Sequence, residues 1–309
     1  MKKLLMVAAL AISATAFAQS NATVSGEIRM FEDNTKVGNG PSVNRMLSDK
    51  SKIVFGASEA LGSGLTARVL LDTSIAANDP KSGNTQFGDR QSTIGLANSF
   101  GSIDFGRRKS TLNLMADSID PFVNKYGSTF NVVHNLQTTR LSNGVFIDTA
   151  SFGGLSGSYN YGQSNVAGVA GTTGVGATYK AFGGNVHYAY QGEKQTGAKT
   201  NLLGVGYEYL PTGTVLGYDH SNSNTAISSA RTQGNSFTVT QPVWTRLAAR
   251  GTYGQSKTDG VDDNTKALSL GLVYSLSKRT TIEAAYTNVN APGIVADTRS
   301  FGAGLTHAF

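Results

Sequence analysis

The chain has 309 residues, with 37 glycines, 6 prolines and no cysteine, a formal charge of +6, 15% charged residues and 39% hydrophobic ones. The missing cysteines exclude a disulfide-stapled fold. Past residue 18 no apolar run nears the ~20 residues that a transmembrane helix needs. Lysine and arginine are scattered along the chain without a cluster or recognition motif, which excludes nucleic acid as a partner.

Residues 1–18 read MKKLLMVAALAISATAFA. Two lysines, an apolar run from Leu4 to Ile12 and the small-residue site Ala16-Phe17-Ala18 form a secretory signal, cleaved before Gln19. The alternative, a membrane anchor, needs a longer apolar run. Loss of Lys2 and Lys3 leaves +4 on a single domain spanning 19–309.

Strict alternation then recurs to the end of the chain, the mark of strands with two unlike faces. Ala22, Val24, Gly26, Ile28 and Met30 oppose Thr23, Ser25, Glu27 and Arg29, and Leu65, Ala67, Val69 and Leu71 oppose Thr66, Arg68, Leu70 and Asp72. Further on, Leu203, Val205, Tyr207 and Tyr209 share one face, as do Leu268, Leu270, Leu272, Tyr274 and Leu276. The pattern predicts sixteen strands, near 22–31, 51–59, 65–73, 90–97, 102–108, 144–152, 155–162, 172–181, 184–191, 200–210, 213–221, 233–241, 245–254, 265–276, 280–288 and 299–309. Part of 110–118 has a helical pattern.

Short turns, such as 60–64, 98–101, 153–154 and 182–183, alternate with longer polar connections, such as 32–50, 74–89, 163–171, 255–264 and 289–298. Short on one side and long on the other is the connection pattern of an outer-membrane barrel. A soluble β-sandwich also alternates, but its strands need apolar inner faces that meet in a core. Here the second face is Gly, Ser, Thr, Arg and Glu, suited to lining water. The fold class expected is therefore all-β, a 16-stranded antiparallel transmembrane barrel. Closure pairs the last strand with the first, since lipid tolerates no unpaired edge. That ties down Phe309, with His307, Leu305, Ala303 and Phe301 facing outward. Tyr159, Tyr161, Tyr188, Tyr190, Tyr207 and Tyr209 suit aromatic girdles at the membrane interfaces.

The blocks ATVSGEIRMF, SKIVFGASEALGSGLTARVLLDTS, RQSTIGLANSFGSIDFGRR, YSLSKRTTIEAAY and GLTHAF resemble the general-diffusion porins of Gram-negative outer membranes, above all their β-proteobacterial branch. The resemblance runs over the whole chain after the signal. It implies a homotrimer in outer-membrane lipid and lipopolysaccharide, and a third loop folded inward to narrow each channel. It also implies a C-terminal strand read by the barrel-insertion machinery through Phe309, His307, Leu305 and Phe301.

Such a channel works by pore width and fixed charge, without a chemical step. The longest connection, 109–143, holds DSIDPFVNKYG and by position is the constriction loop. Asp117 and Asp120 are its candidate lumen carboxylates; the alternative is that they are turn formers, as Asp-Pro often is. By resemblance, Arg107 is the constriction arginine after DFG, Arg140 opens the sixth strand, and Lys52 stands where the second strand of the family often has arginine. Alternation from Phe105 turns Arg107 outward, so an inward Arg107 requires Gly106 to relax the parity. Arg29 and Arg68 reach the polar face by alternation alone. The excess of basic residues predicts a weak to moderate preference for anions among small hydrophilic solutes and ions, with a phosphate- or organic-acid-preferring channel as the second reading. His134, His187, His220 and His307 lie in no G-x-S-x-G setting and show no metal-ligand spacing, so neither enzyme, metal site nor cofactor is expected. An adhesin would carry longer external loops.

Overall fold

The computed structural model describes residues 20–79, 86–136, 140–165, 171–194, 196–224, 230–292 and 295–309; the signal at 1–18 lies outside them. Strands β1 (Ser20–Val37), β2 (Ser42–Ser48), β3 (Lys52–Gly62), β4 (Leu65–Ser74), β5 (Gln91–Asn98) and β6 (Gly101–Lys109) precede two helices, α1 (Thr111–Ile119) and α2 (Phe130–His134). After them come β7 (Arg140–Thr149), β8 (Leu155–Gly162), β9 (Thr172–Ala181), β10 (Gly184–Glu193), β11 (Lys199–Tyr209) and β12 (Thr214–Asn224). The last five are β13 (Arg231–Trp244), β14 (Leu247–Thr258), β15 (Thr265–Ser275), β16 (Thr280–Ala291) and β17 (Val295–Ala308). Apart from β2 and β3, which both pair with β1, each strand pairs antiparallel with its sequence neighbours, and β17 pairs with β1 from Glu27↔Ala308 to Val37↔Thr298.

The ring has sixteen members, because β2 and β3 are two halves of one wall strand. Both pair with β1, β2 opposite Met30–Lys36 and β3 opposite Ser20–Glu27. Asp49, Lys50 and Ser51 interrupt it, with Lys50 at a φ of 57°. Arg29 of β1 bridges the break: its N–H donates to Ser51 Oγ at 2.9 Å and its carbonyl accepts from the Asp49 N–H at 3.0 Å. The barrel closes at Phe309, whose N–H and carbonyl both pair with Gly26, at 3.1 and 3.0 Å. A side chain on Gly26 would place its Cβ 2.6 Å from the Phe309 ring, so this aromatic lies directly over the glycine.

Two of the connections expected to be long are mostly strand. Within 32–50, residues 32–37 and 42–48 are strand, and within 289–298 residues 289–291 and 295–298 are strand. Outside the bilayer both faces meet water, so the apolar alternation stops while the hydrogen-bond ladder goes on.

The two faces are chemically distinct. Outward positions carry Val205, Tyr207 and Tyr209 on β11, Leu270 and Leu272 on β15, and Phe301 and Leu305 on β17, each more than two-fifths exposed. An apolar band of this extent on the outside of the barrel is a membrane-facing surface. Inward positions carry buried Thr232, Ser236, Thr252 and Ser269.

Candidate functional site

The segment from Ser110 to Leu136 touches strands on opposite sides of the ring, which only a path through the lumen allows. α1 packs on β8–β12 and α2 on β12–β15. Ser110 caps α1 by accepting from the Asn113 N–H. Leu112, Ala116 and Phe130 form a small buried core with Ala189 and Leu202 of the wall. The inner wall is cut away to receive them. A Cβ on Gly254 would lie 2.7 Å from Val133, and one on Gly271 2.7 Å from the Phe122 ring. His134 is enclosed between Ser221 Oγ at 2.7 Å and Ser236 Oγ at 2.5 Å, and burial lowers its pKa to about 3, so it docks uncharged.

The turn after α1 is organised by Asp120. Its carboxylate accepts from the Phe122 N–H at 3.0 Å, the Asn124 N–H at 2.7 Å and Ser128 Oγ at 2.5 Å, and it is 3% exposed. Burial raises its pKa against those bonds. Asp120 thus takes the turn-forming role and presents no carboxylate to the lumen. Asp117, on α1, is bound by Lys109.

The loop's far end is clasped to β1 and to the strand break. The Tyr126 N–H donates to Asp49 at 2.8 Å, its hydroxyl to Asp33 at 2.5 Å, and its ring stacks on Phe31 with centroids 4.8 Å apart. Lys125 pairs with Glu27 at 3.1 Å, and Lys50 Nζ donates to the Asn124 carbonyl. Burial, with Arg29 nearby, lowers the pKa of Lys125. None of Asp33, Asp49, Lys50 or Tyr126 stands out in the sequence, since a lone tyrosine in a polar loop has no pattern to mark it.

With the loop against β8–β17, the open lumen lies between α1 and the β3–β7 wall. A cavity of about 770 Å³ there is lined by Lys52, Arg68, Arg90, Arg108, Lys109 and Arg140, with Asp72, Asp104 and Asp148 among them. Asp104 accepts from Arg68 at 2.6 and 2.9 Å and from Arg108 at 2.9 Å. Arg108 also reaches Asp148 at 2.6 Å and lies over the Phe146 ring. Arg90 pairs with Asp72 at 3.0 Å, and Lys52 stands 3.7 Å from Glu27. Arg140 has no ion pair within 4 Å among the described residues, and its Nε finds no acceptor.

The structure brings Lys52, Arg68 and Arg140 together but parts them from Arg29 and Arg107. Arg29 is 3% exposed, held by Glu283 at 2.7 Å and Asp49 at 3.3 Å, and so braces the wall. For Arg107 the expected irregularity exists: the register slips between Gly106 and Arg108, and Gly106 has a φ of 126°. Yet Arg107 bonds the Asp89 carbonyl at 2.7 Å and Ser142 Oγ at 2.6 Å, and Arg108 and Lys109 line the cavity instead. Alternation from Asp104 already points Arg108 inward, a signal the sequence carried.

Comparison with known proteins agrees with this geometry. A family profile described as Gram-negative porin matches residues 5–293. The major outer membrane protein P.IB of Neisseria meningitidis is 32% identical over 235 residues, covering 71% of this chain and 67% of its own. An outer membrane porin protein of Bordetella pertussis is 27% identical over 81% of this chain and 80% of its own. The anion-selective porin from Comamonas acidovorans superimposes with a TM-score of 0.80 at 20% identity, over 94% of this chain and all of the other.

Proposed function

The chain belongs to the Gram-negative porin family and forms an outer-membrane diffusion channel, and on that premise we propose that the β3–β7 wall makes the passage prefer anions. The carrying observation is a lumen lined by six cations and three carboxylates, with Arg140 left without an ionic partner among the described residues. Each wall carboxylate is already engaged by arginine, so the uncompensated charge facing a permeating ion is positive. The solved structure of similar fold described as an anion-selective porin supports the same direction. Across the passage, the Lys109–Asp117 pair neutralises the acid that α1 presents, so little negative charge opposes the wall.

Residues 1–18 act as the export signal in this reading, and the Phe309 strand is the segment the barrel-insertion machinery engages. The working assembly is a homotrimer surrounded by phospholipid and lipopolysaccharide. We read the protein as a passive channel and not an enzyme. Zero-current potentials across a KCl gradient in planar bilayers test the proposal. A potential of the sign set by chloride is expected, with no saturation by phosphate or dicarboxylates. A potassium-set sign overturns the anion preference, and block by phosphate at low concentration replaces the general pore with a phosphate-preferring channel.

A further inference from the structure

One apolar side chain of α1 stands in the water of the passage with nothing in the packing to require it. The other apolar residues of the helix are laid on the wall: Leu112 and Ala116 are buried with Ala189 and Leu202, and Met115 and Ile119 pack beside them. Leu114 is turned the other way, is 40% exposed and lines the cavity of the β3–β7 wall. Helical spacing puts it on one face with Asp117 and Ser118. Its position is fixed, because its N–H donates to the Ser110 carbonyl at 3.0 Å and Ser110 caps the same turn.

Leu70 meets the same space from the wall. It sits on the polar side of β4 between Arg68 and Asp72 and leans over Gly56, where an added Cβ would lie 3.7 Å from its Cδ1. Its inner-face neighbours at that level are Thr23, Gly56 and Thr93, all uncharged. A single exposed leucine is ordinary on a protein surface. Here two of them line one water-filled cavity together with Arg140, whose Nε meets no acceptor among the described residues. Arg140 stands opposite Lys109 in the β6–β7 ladder, and α1 begins at Thr111, just past Lys109. The chain thus brings an uncompensated cation and Leu114 to one stretch of the passage.

We infer that Leu114 and Leu70 sort anions by their hydrocarbon part, so that the passage favours monocarboxylates with an unsubstituted aliphatic tail over hydroxylated ones of the same charge and similar size. Arg140 draws the carboxylate while the tail lies on the two leucines. That contact removes apolar surface from water on both partners. A hydroxyl on the tail would have to shed water against leucine side chains that offer it no hydrogen bond, which cancels the gain. The contact is small and open to water, so it speeds passage without trapping the solute. The inference rests on the anion preference proposed above for the charge of the solute. What the leucines read is the tail, which charge does not distinguish.

Zero-current potentials in planar bilayers test it, with potassium chloride on one side and potassium butyrate or potassium β-hydroxybutyrate on the other. The two acids carry the same charge and differ by one oxygen. Butyrate is expected to be about twofold to fourfold the more permeant relative to chloride, as roughly one methylene taken out of water would give. Leu114→Gln, which keeps the bulk of the side chain and its helix-forming tendency, is expected to bring the two permeabilities together, and Leu114→Met to retain the difference. That contrast separates polarity from pore width. Leu70→Gln is expected to narrow the difference too, and gives the same reading where the α1 variant does not fold. Equal passage of the two acids through the unmutated channel, or an undiminished difference in Leu114→Gln, overturns the inference. When such equality comes with a chloride-set potential in KCl alone, the anion preference stands; a potassium-set potential in KCl alone overturns both.

Discussion

Replacing Arg140 with glutamate is expected to abolish most of the anion preference of the channel. Arg140 lines the passage and has no carboxylate within 4 Å among the described residues, so its charge is not already spent on the wall. The substitution changes the local charge by two units. In water, one unit at about 7 Å from a permeating ion contributes on the order of 0.6 kcal/mol. Screening in about 0.1 M salt roughly halves that, and because two units act oppositely on chloride and potassium, the chloride-to-potassium permeability ratio changes by roughly sevenfold. The same change at Arg68 is expected to give a smaller shift, because Asp104 already offsets that guanidinium at 2.6 Å. Reversal potentials of the two variants, measured under one KCl gradient, check the ordering. An Arg68→Glu effect equal to that of Arg140→Glu would show that ion pairing in the wall does not set the field.

Replacing Asp120 with alanine is expected to unseat the lumen segment. Three donors that now meet its carboxylate, the Phe122 and Asn124 N–H groups and Ser128 Oγ, lose their acceptor in a largely buried turn. At roughly 1–1.5 kcal/mol each, that removes about 3–5 kcal/mol from the folded turn. The neighbouring Val123 and Asn124 both hold φ values of 52°, a conformation that needs this support. The variant channel is expected to show large current fluctuations at constant voltage and cleavage by protease within 121–129, while the barrel keeps its heat-modifiable mobility. Asp120→Asn, which retains one carbonyl acceptor, is expected to fall between. A quiet Asp120→Ala channel with wild-type conductance would mean that packing of α1 and α2 alone holds the segment.

Much of this architecture is readable from residues alone, and the limits have physical causes. Alternation located every strand but β2, because lipid and water impose opposite chemistry on adjacent positions. Where the bilayer ends, that contrast ends too, which is why the strand residues between Glu32 and Ser48 read as a loop. The closure of Phe309 onto Gly26 was legible from parity and from the need to leave no edge. The lumen charges were harder. Lys52, Arg68 and Arg140 line one cavity, but Arg29 has the same parity as they do and is consumed by Glu283 and Asp49. Arg107 and Arg108 differ by one step, and plain alternation from Asp104, unchanged by the irregularity at Gly106, brings Arg108 to the cavity. A carboxylate that folds a turn and one that faces solutes are the same letter, so the partners of Asp120 had to be seen. The Tyr126 clasp spans from the loop to β1 and carries no local pattern at all.

The account depends on the polar row facing water and the aliphatic row facing lipid, and the native chain's lack of cysteine allows a direct test. Ser102 lines the cavity, whereas Ile94, on the adjoining strand, is 61% exposed on the opposite face. A membrane-impermeant thiol reagent added to open channels in a bilayer is predicted to reduce the current of Ser102→Cys and to leave that of Ile94→Cys unchanged. Rapid modification and block through Ile94→Cys, with Ser102→Cys inert, would contradict it.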